Sequence, residues 1–243
     1  MASIKAEFRK LLTVRSTYII SGLAMLLVIF YAGFIEGYKA DALKAASPSM
    51  LSNEITGAIG AVAVIAALIG VLLVAHEYRY STIMYTLTAS NSRSKSLFAK
   101  WLAITVYIVI FTVIVGVLSP VAATIGLHIK GTHLADQVIY FRDIAWRVLF
   151  YGWGYSMLGM LFALLFRNVV GAVVGLFLLP GTVETLLGLL LKHNQVYLPA
   201  TSLNAVIQYS PYISYTKAAL VFMAYVIGGG FVAWILFLRR DAN

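Results

Sequence analysis

Few groups in this chain could carry out chemistry, and each falls short of a known catalytic arrangement. His76-Glu77 begins like a zinc-protease helix, but position 80, where the second histidine is needed one turn on, is Tyr80. Gly126-Leu127-His128-Ile129-Lys130-Gly131-Thr132 has the glycine spacing of a phosphate loop without the lysine and hydroxyl pair that should follow the second glycine. The other histidines, His128, His133 and His193, fall in connecting segments and read as solvated groups. The chain has no cysteine, which excludes disulfides, thiolate metal sites, iron–sulfur clusters and a cysteine nucleophile. No serine or aspartate set faces another within an apolar run, as an intramembrane hydrolase requires. The expectation is a non-enzyme that itself binds no metal or cofactor.

Composition identifies the solvent. Of 243 residues, 61% are apolar and 11% charged, against roughly 45–50% and about 25% in soluble domains. Six apolar runs, residues 17–35, 55–75, 101–125, 148–166, 169–191 and 218–238, are each long enough to cross a bilayer core of about 30 Å. Lipid cannot satisfy a bare backbone, so these runs must be helices. The expected fold is an all-α polytopic membrane protein, a single transmembrane domain over residues 1–243.

The net charge of +9 is unevenly distributed. Eleven bases, Lys5, Arg9, Lys10, Arg15, Arg79, Arg93, Lys95, Lys100, Arg167, Arg239 and Arg240, fall on one side of a six-span layout and seven on the other. The richer side is expected in the cytoplasm of a cell (inner) membrane, with both termini there. This basicity calls for a membrane face and not for nucleic acid. Ala40-Asp41-Ala42 resembles a signal-peptide cleavage site, but the basic leader and first apolar run are longer than such a peptide needs, so an uncleaved first span is expected.

Ile4, Phe8, Leu11 and Leu12 share one helical face, with Lys5, Arg9 and Lys10 mostly off it, so residues 1–15 form an amphipathic basic helix suited to lie in the lipid headgroups. Residues 76–100 join the second and third spans: a charged triplet at Glu77 and Arg79, an apolar face of Ile83, Met84 and Leu87, a Ser/Asn break, then a basic helix. An apolar patch ringed by charge suits partner binding. Arg167-Asn168 leaves room only for a tight hairpin between the fourth and fifth spans. Within the fifth, Pro180 predicts a kink or an end, and Glu184 is the outstanding intramembrane acid. It has two readings, a translocation-site group or a cap on a broken helix at the outer interface. Gly171-Ala172-Val173-Val174-Gly175 offers a small-residue face for close helix packing.

The leader Lys5-Ala6-Glu7-Phe8-Arg9-Lys10-Leu11 with Arg15-Ser16, the pattern Glu77-Tyr78-Arg79-x-x-Thr82-Ile83 with Arg93 and Lys100 downstream, and the six-span layout together resemble the permease subunits of ABC type-2 transporters, in particular the compact bacterial members. Ser81 stands where the family pattern has glycine, and Asn91 lies near a frequent proline. The resemblance implies an amphipathic elbow helix at residues 1–15, a short coupling helix after Glu77, a separate ABC ATPase carrying ATP and magnesium, and a second permease copy or homologue facing this one. In this reading Glu77, Arg79 and Thr82 fix the coupling segment, Ile83, Met84 and Leu87 fill a groove on the ATPase, and Arg93 and Lys100 anchor the far end to phosphates or acidic partner residues. The aliphatic and aromatic spans favour a hydrophobic, lipid-like, peptide or drug cargo. Two other readings stay open: a stand-alone secondary transporter or channel built on Pro180 and Glu184, and a membrane scaffold or sensor.

Overall fold

The computed structural model describes residues 2–40, 47–80, 92–132 and 141–239. Among them are nine α-helices and no strand, and six helical segments are long and apolar enough to span a membrane. The protein is an all-α polytopic membrane protein. An N-terminal helix, α1 (Ala2–Thr13), turns at Val14 into the first span, α2 (Arg15–Phe30), which continues as a π-helical stretch, Tyr31–Tyr38. The second, third and fourth spans are α3 (Met50–Arg79), α4 (Arg93–Lys130) and α5 (Phe141–Phe166). The fifth is α6 (Val169–Leu178), a π-helical turn Leu179–Val183, and α7 (Glu184–Leu191). A 3-10 stretch (Lys192–Tyr197) leads to the short α8 (Pro199–Ile207), and α9 (Tyr215–Arg239) is the sixth span.

The helices outrun the apolar stretches that predict them. Residues 76–79 extend α3 and residues 93–100 begin α4, so both ends of the expected 76–100 connector are helix belonging to the spans. Hydropathy marks where the hydrocarbon ends, whereas backbone hydrogen bonding stops only at a cap. Gly131, in the left-handed conformation (φ 75°), supplies that stop for α4. Two prolines shape the helices locally. Pro180 does not end the fifth span; the chain widens into a π-helical turn and resumes as α7. Pro199 starts α8, where its missing N–H costs nothing.

Spans two and four form the core: 67% and 72% of their apolar windows are buried, against 11% for span five. Lipid offers no hydrophobic drive for helices to associate, so close van der Waals contact through small residues must hold them. Gly70 of α3 lies against the backbone of Ser156 and Met160, and Gly159 of α5 against that of Ala67; a Cβ at either position would strike a carbonyl oxygen. Ala63, Ala66, Ala67 and Ala163 are buried with them. The Gly171/Gly175 face packs on Phe162 and Phe166 across the Arg167-Asn168 hairpin, where Asn168 caps α6 by accepting from the Val170 N–H at 2.9 Å.

Gly159→Leu is expected to lower stability by about 1–3 kcal/mol or more, since the obstructing atoms are backbone and cannot repack. Gly228→Leu, whose Cβ meets nothing within 4 Å, serves as the control and is expected to change little. Thermal unfolding of the detergent-solubilised proteins compares them.

Candidate functional site

The site begins on α1. Ile4, Glu7, Phe8 and Leu11 lie on one face by helical spacing, and this face packs inward: Leu11 is 3% exposed, Glu7 1%, and Phe8 rests partly buried on the core. Leu12 is 66% exposed, pointing away from the bundle. An acid on a buried helix face must find cations. Glu7 finds two: Oε1 accepts from Lys10 Nζ at 2.8 Å and Oε2 from Lys100 Nζ at 3.0 Å.

Glu77, near the end of α3, completes the cluster. Its Oε1 accepts from Lys10 Nζ at 2.6 Å and from Lys100 Nζ at 2.5 Å. Among the described residues, two carboxylates and two ammonium groups thus form a cluster joining α1, α3 and α4 at the ends of the helices that flank residues 80–92. The side chains of Glu7, Glu77 and Lys100 are 1%, 6% and 1% exposed, whereas Lys10 at 38% closes the cluster toward solvent. Burial alone depresses the Lys10 pKa, but hydrogen bonds to Glu7 and Glu77 and their negative charge outweigh it, so the net shift is upward from 10.5. Glu77 Oε2 is buried with no hydrogen-bond partner among the described residues. It belongs to a residue that, with Lys10, His76 and Tyr80, lines a pocket of about 390 Å³ floored by Leu11, Leu72 and Leu73.

The remaining expected residues distribute unevenly. Lys100 does not anchor outward to phosphates or a partner: its ammonium turns into the bundle because two buried carboxylates wait there. Arg79 is exposed, its guanidinium 5.6 Å from the Tyr80 ring centroid. Thr82, Ile83, Met84 and Leu87 lie outside the described residues, and of Arg93 only the backbone, as the first residue of α4, is described. Ile4 is half-buried. Arg167 of the hairpin reaches the same end, its guanidinium 5.4 Å from the centroid of Tyr78.

At the opposite end of the bundle, Glu184 and Pro180 are placed by α8. The Glu184 carboxylate, 4% exposed, accepts from the N–H of Ala200 (2.6 Å) and from the N–H and Oγ1 of Thr201 (both 2.7 Å). It therefore caps the positive end of α8. Arg147 of α5 serves the other end: Nε and Nη2 donate to the carbonyls of Val206 and Ile207 at 2.7 Å each, with the guanidinium 3.6 Å over Tyr215. Between them Asn204 Oδ1 accepts from the hydroxyls of Tyr151 (2.8 Å) and Tyr155 (3.0 Å). Pro180 contributes only the widened turn before Glu184. No cluster of histidine and acid side chains among the described residues could hold a metal ion.

Residues 3–180 match the family model described as ABC-2 family transporter protein. The chain belongs to the ABC-2 transporter family. Curated proteins yield no match. The permease match covers all four members of the Glu7–Lys10–Glu77–Lys100 cluster and the hairpin, and stops before Glu184 and α8. Permeases of this family are membrane transport subunits, generally non-catalytic, that associate with ABC ATPases.

Sequence reasoning missed Glu7 as a site residue, although an acid among Ile4, Phe8 and Leu11 on one face was the available signal. It also missed Arg147 and Asn204, whose partners are brought together only by the packing of α8 on α5.

Leaving one member of a buried ion cluster unpaired costs about 3–5 kcal/mol, so Lys100→Met is expected to destabilise the permease by that order, while Lys95→Met, on an exposed side chain, changes little; unfolding midpoints in detergent compare the two. Lys10 also has a pH signature. Because its folded pKa is raised, its stabilisation is fully present below 10.5 and is lost as pH climbs through the higher folded value. Midpoints recorded from pH 8 to 11.5 are expected to fall at the alkaline end, with a smaller alkaline fall in Lys10→Gln.

Proposed function

We propose that this permease is the transmembrane subunit of an ATP-driven exporter, moving a hydrophobic, lipid-like, peptide or drug cargo with energy from ATP and magnesium bound on a separate ABC ATPase. A second permease, a copy or a homologue, completes the pathway. In this reading the end of the bundle carrying Glu7, Glu77 and Lys100 faces the cytoplasm of the cell membrane, as the excess of bases on that side supports, and both termini lie there.

The observation that carries the reading is the buried four-charge cluster. It ties the last turn of α3 to the second turn of α4 and to α1, so a push on residues 80–92 moves two spans and the interfacial helix together. A flexible attachment would dissipate the same push within the loop. Ile83, Met84 and Leu87 are the proposed contacts with the ATPase groove, with Arg79, Thr82 and Arg93 at its edges; Glu77 and Lys100 act behind them by holding the helix ends. Both carboxylate oxygens of Glu184 are occupied by α8, which weighs against a stand-alone transporter that uses this acid as its ion site.

Leu87→Asp tests the coupling role, because it changes the proposed contact without touching the cluster. Allosteric coupling of about 1–3 kcal/mol corresponds to a 5- to 150-fold effect. Cargo-stimulated ATP hydrolysis by the reconstituted permease and ATPase is expected to fall within that range while the permease still inserts. Unchanged stimulation and co-purification would refute the assignment.

A further inference from the structure

A cavity at the end of the bundle opposite the four-charge cluster has a volume of about 810 Å³, within the roughly 300–1,000 Å³ of small-molecule sites. It opens between α3, α5 and the segment from the end of α8 to the start of α9, and part of its wall, Ile207 to Thr216, lies beyond the residues matched by the family model. Its lining is chemically mixed. Ser52 and Asn53 of α3 contribute hydroxyl and amide groups, Trp146, Tyr209 and Tyr215 contribute rings, and the two charged groups are Asp143 and Arg147.

The two charges are in different states. Arg147 is engaged: it donates to the Val206 and Ile207 carbonyls at the negative end of α8 and sits over the Tyr215 ring. Asp143, one turn earlier on the same helix, is exposed and has no ion-pair partner among the described residues. The charge left for a ligand is therefore negative, and it shares the cavity with Trp146 and Tyr209, whose ring faces attract cations. A carboxylate beside aromatic rings, with hydroxyl and amide groups opposite, is the chemistry that recognises an organic ammonium.

We propose that this chamber binds the ammonium group of an organic cation, with Asp143 as its counter-charge and Trp146 and Tyr209 as its aromatic wall. The proposal rests on the exporter reading for its meaning: the cargo would be an amphiphile with a cationic head, and the chamber its station at the exit side. Its test does not depend on that reading, because binding is measured on the permease alone without ATP.

The full-length permease in nanodiscs is titrated with benzyltrimethylammonium and, separately, with benzenesulfonate, a probe of similar size and opposite charge, following tryptophan fluorescence and heat. Saturable binding of the ammonium is expected, at least tenfold tighter than the sulfonate. Asp143→Asn is expected to weaken it about five- to tenfold with an unchanged unfolding midpoint, since the side chain it alters is exposed. Trp146→Phe is expected to remove most of the fluorescence change while heat still reports binding. No saturable binding, equal or tighter binding of benzenesulfonate, or full affinity in Asp143→Asn would overturn the proposal. Any of these leaves the coupling role of residues 80–92 untouched, and failure of that role leaves the chamber standing.

Discussion

Three charged groups removed from water, with a fourth at their solvent edge, constrain everything near them. Glu7, Glu77 and Lys100 are almost wholly buried, and an isolated ion in such surroundings costs several kcal/mol after relaxation. Only mutual pairing makes their burial tolerable, and pairing is possible only if α1 folds back against the bundle while α3 and α4 end side by side. The amphipathic helix, the last turn of the second span and the first turns of the third are thus placed by one electrostatic requirement. Lys10 gives the set its access to solvent. The cluster adds little net stability over an apolar replacement of the same shape; what it enforces is a single arrangement of three helices, because any displacement leaves a charge without a partner.

The opposite end is organised by the same need for satisfied polar groups, met through a different device. α8 presents unpaired N–H groups at one end and unpaired carbonyls at the other, as every short helix does. Glu184 serves the first and Arg147 the second, so the helix is held in line with its own dipole. The α3/α5 pair joins the two ends through backbone contact at Gly70 and Gly159. Around this rigid axis the first, fifth and sixth spans turn most of their apolar surface outward. Both π-helical stretches, Tyr31–Tyr38 and Leu179–Val183, are in those peripheral spans, where wider turns leave the core pair undisturbed.

The six spans, the hairpin at Arg167-Asn168 and the amphipathic helix were legible from the sequence, because each follows from a local rule: apolar length, too few residues for anything but a turn, and apolar spacing at 3.6. The family could be read from Glu77, Arg79, Thr82 and the leader. The direction of Lys100 could not. A lysine in a basic stretch beside a span looks like every other such lysine, and only the three-dimensional approach of Glu7, ninety-three residues away, distinguishes it. For Glu184 the sequence supported two readings equally grounded in physics, and the geometry places it at the N-terminus of a helix begun by Pro199, a residue whose type signals a helix start as readily as a break.

The pairing of two lysines with buried acids raises the question of how the basic bias behind the proposed orientation survives. Eleven bases and three acids, Glu7, Glu77 and Asp241, were assigned to that side from sequence, a net charge of +8. The cluster removes two bases and two acids together, so the net charge is unchanged. The field at the proposed cytoplasmic surface then arises from the bases outside the cluster, Lys5, Arg9, Arg15, Arg79 and Lys95 among them, all five exposed. Orientation during insertion counts lysines and arginines and depends little on acids, so in the proposed topology Lys10 and Lys100 contribute to orientation before the helices meet and to helix placement afterwards. One pair of residues thereby satisfies two constraints that act at different stages, and replacing either acid alone would leave the insertion signal intact while removing the partner that lets its lysine be buried.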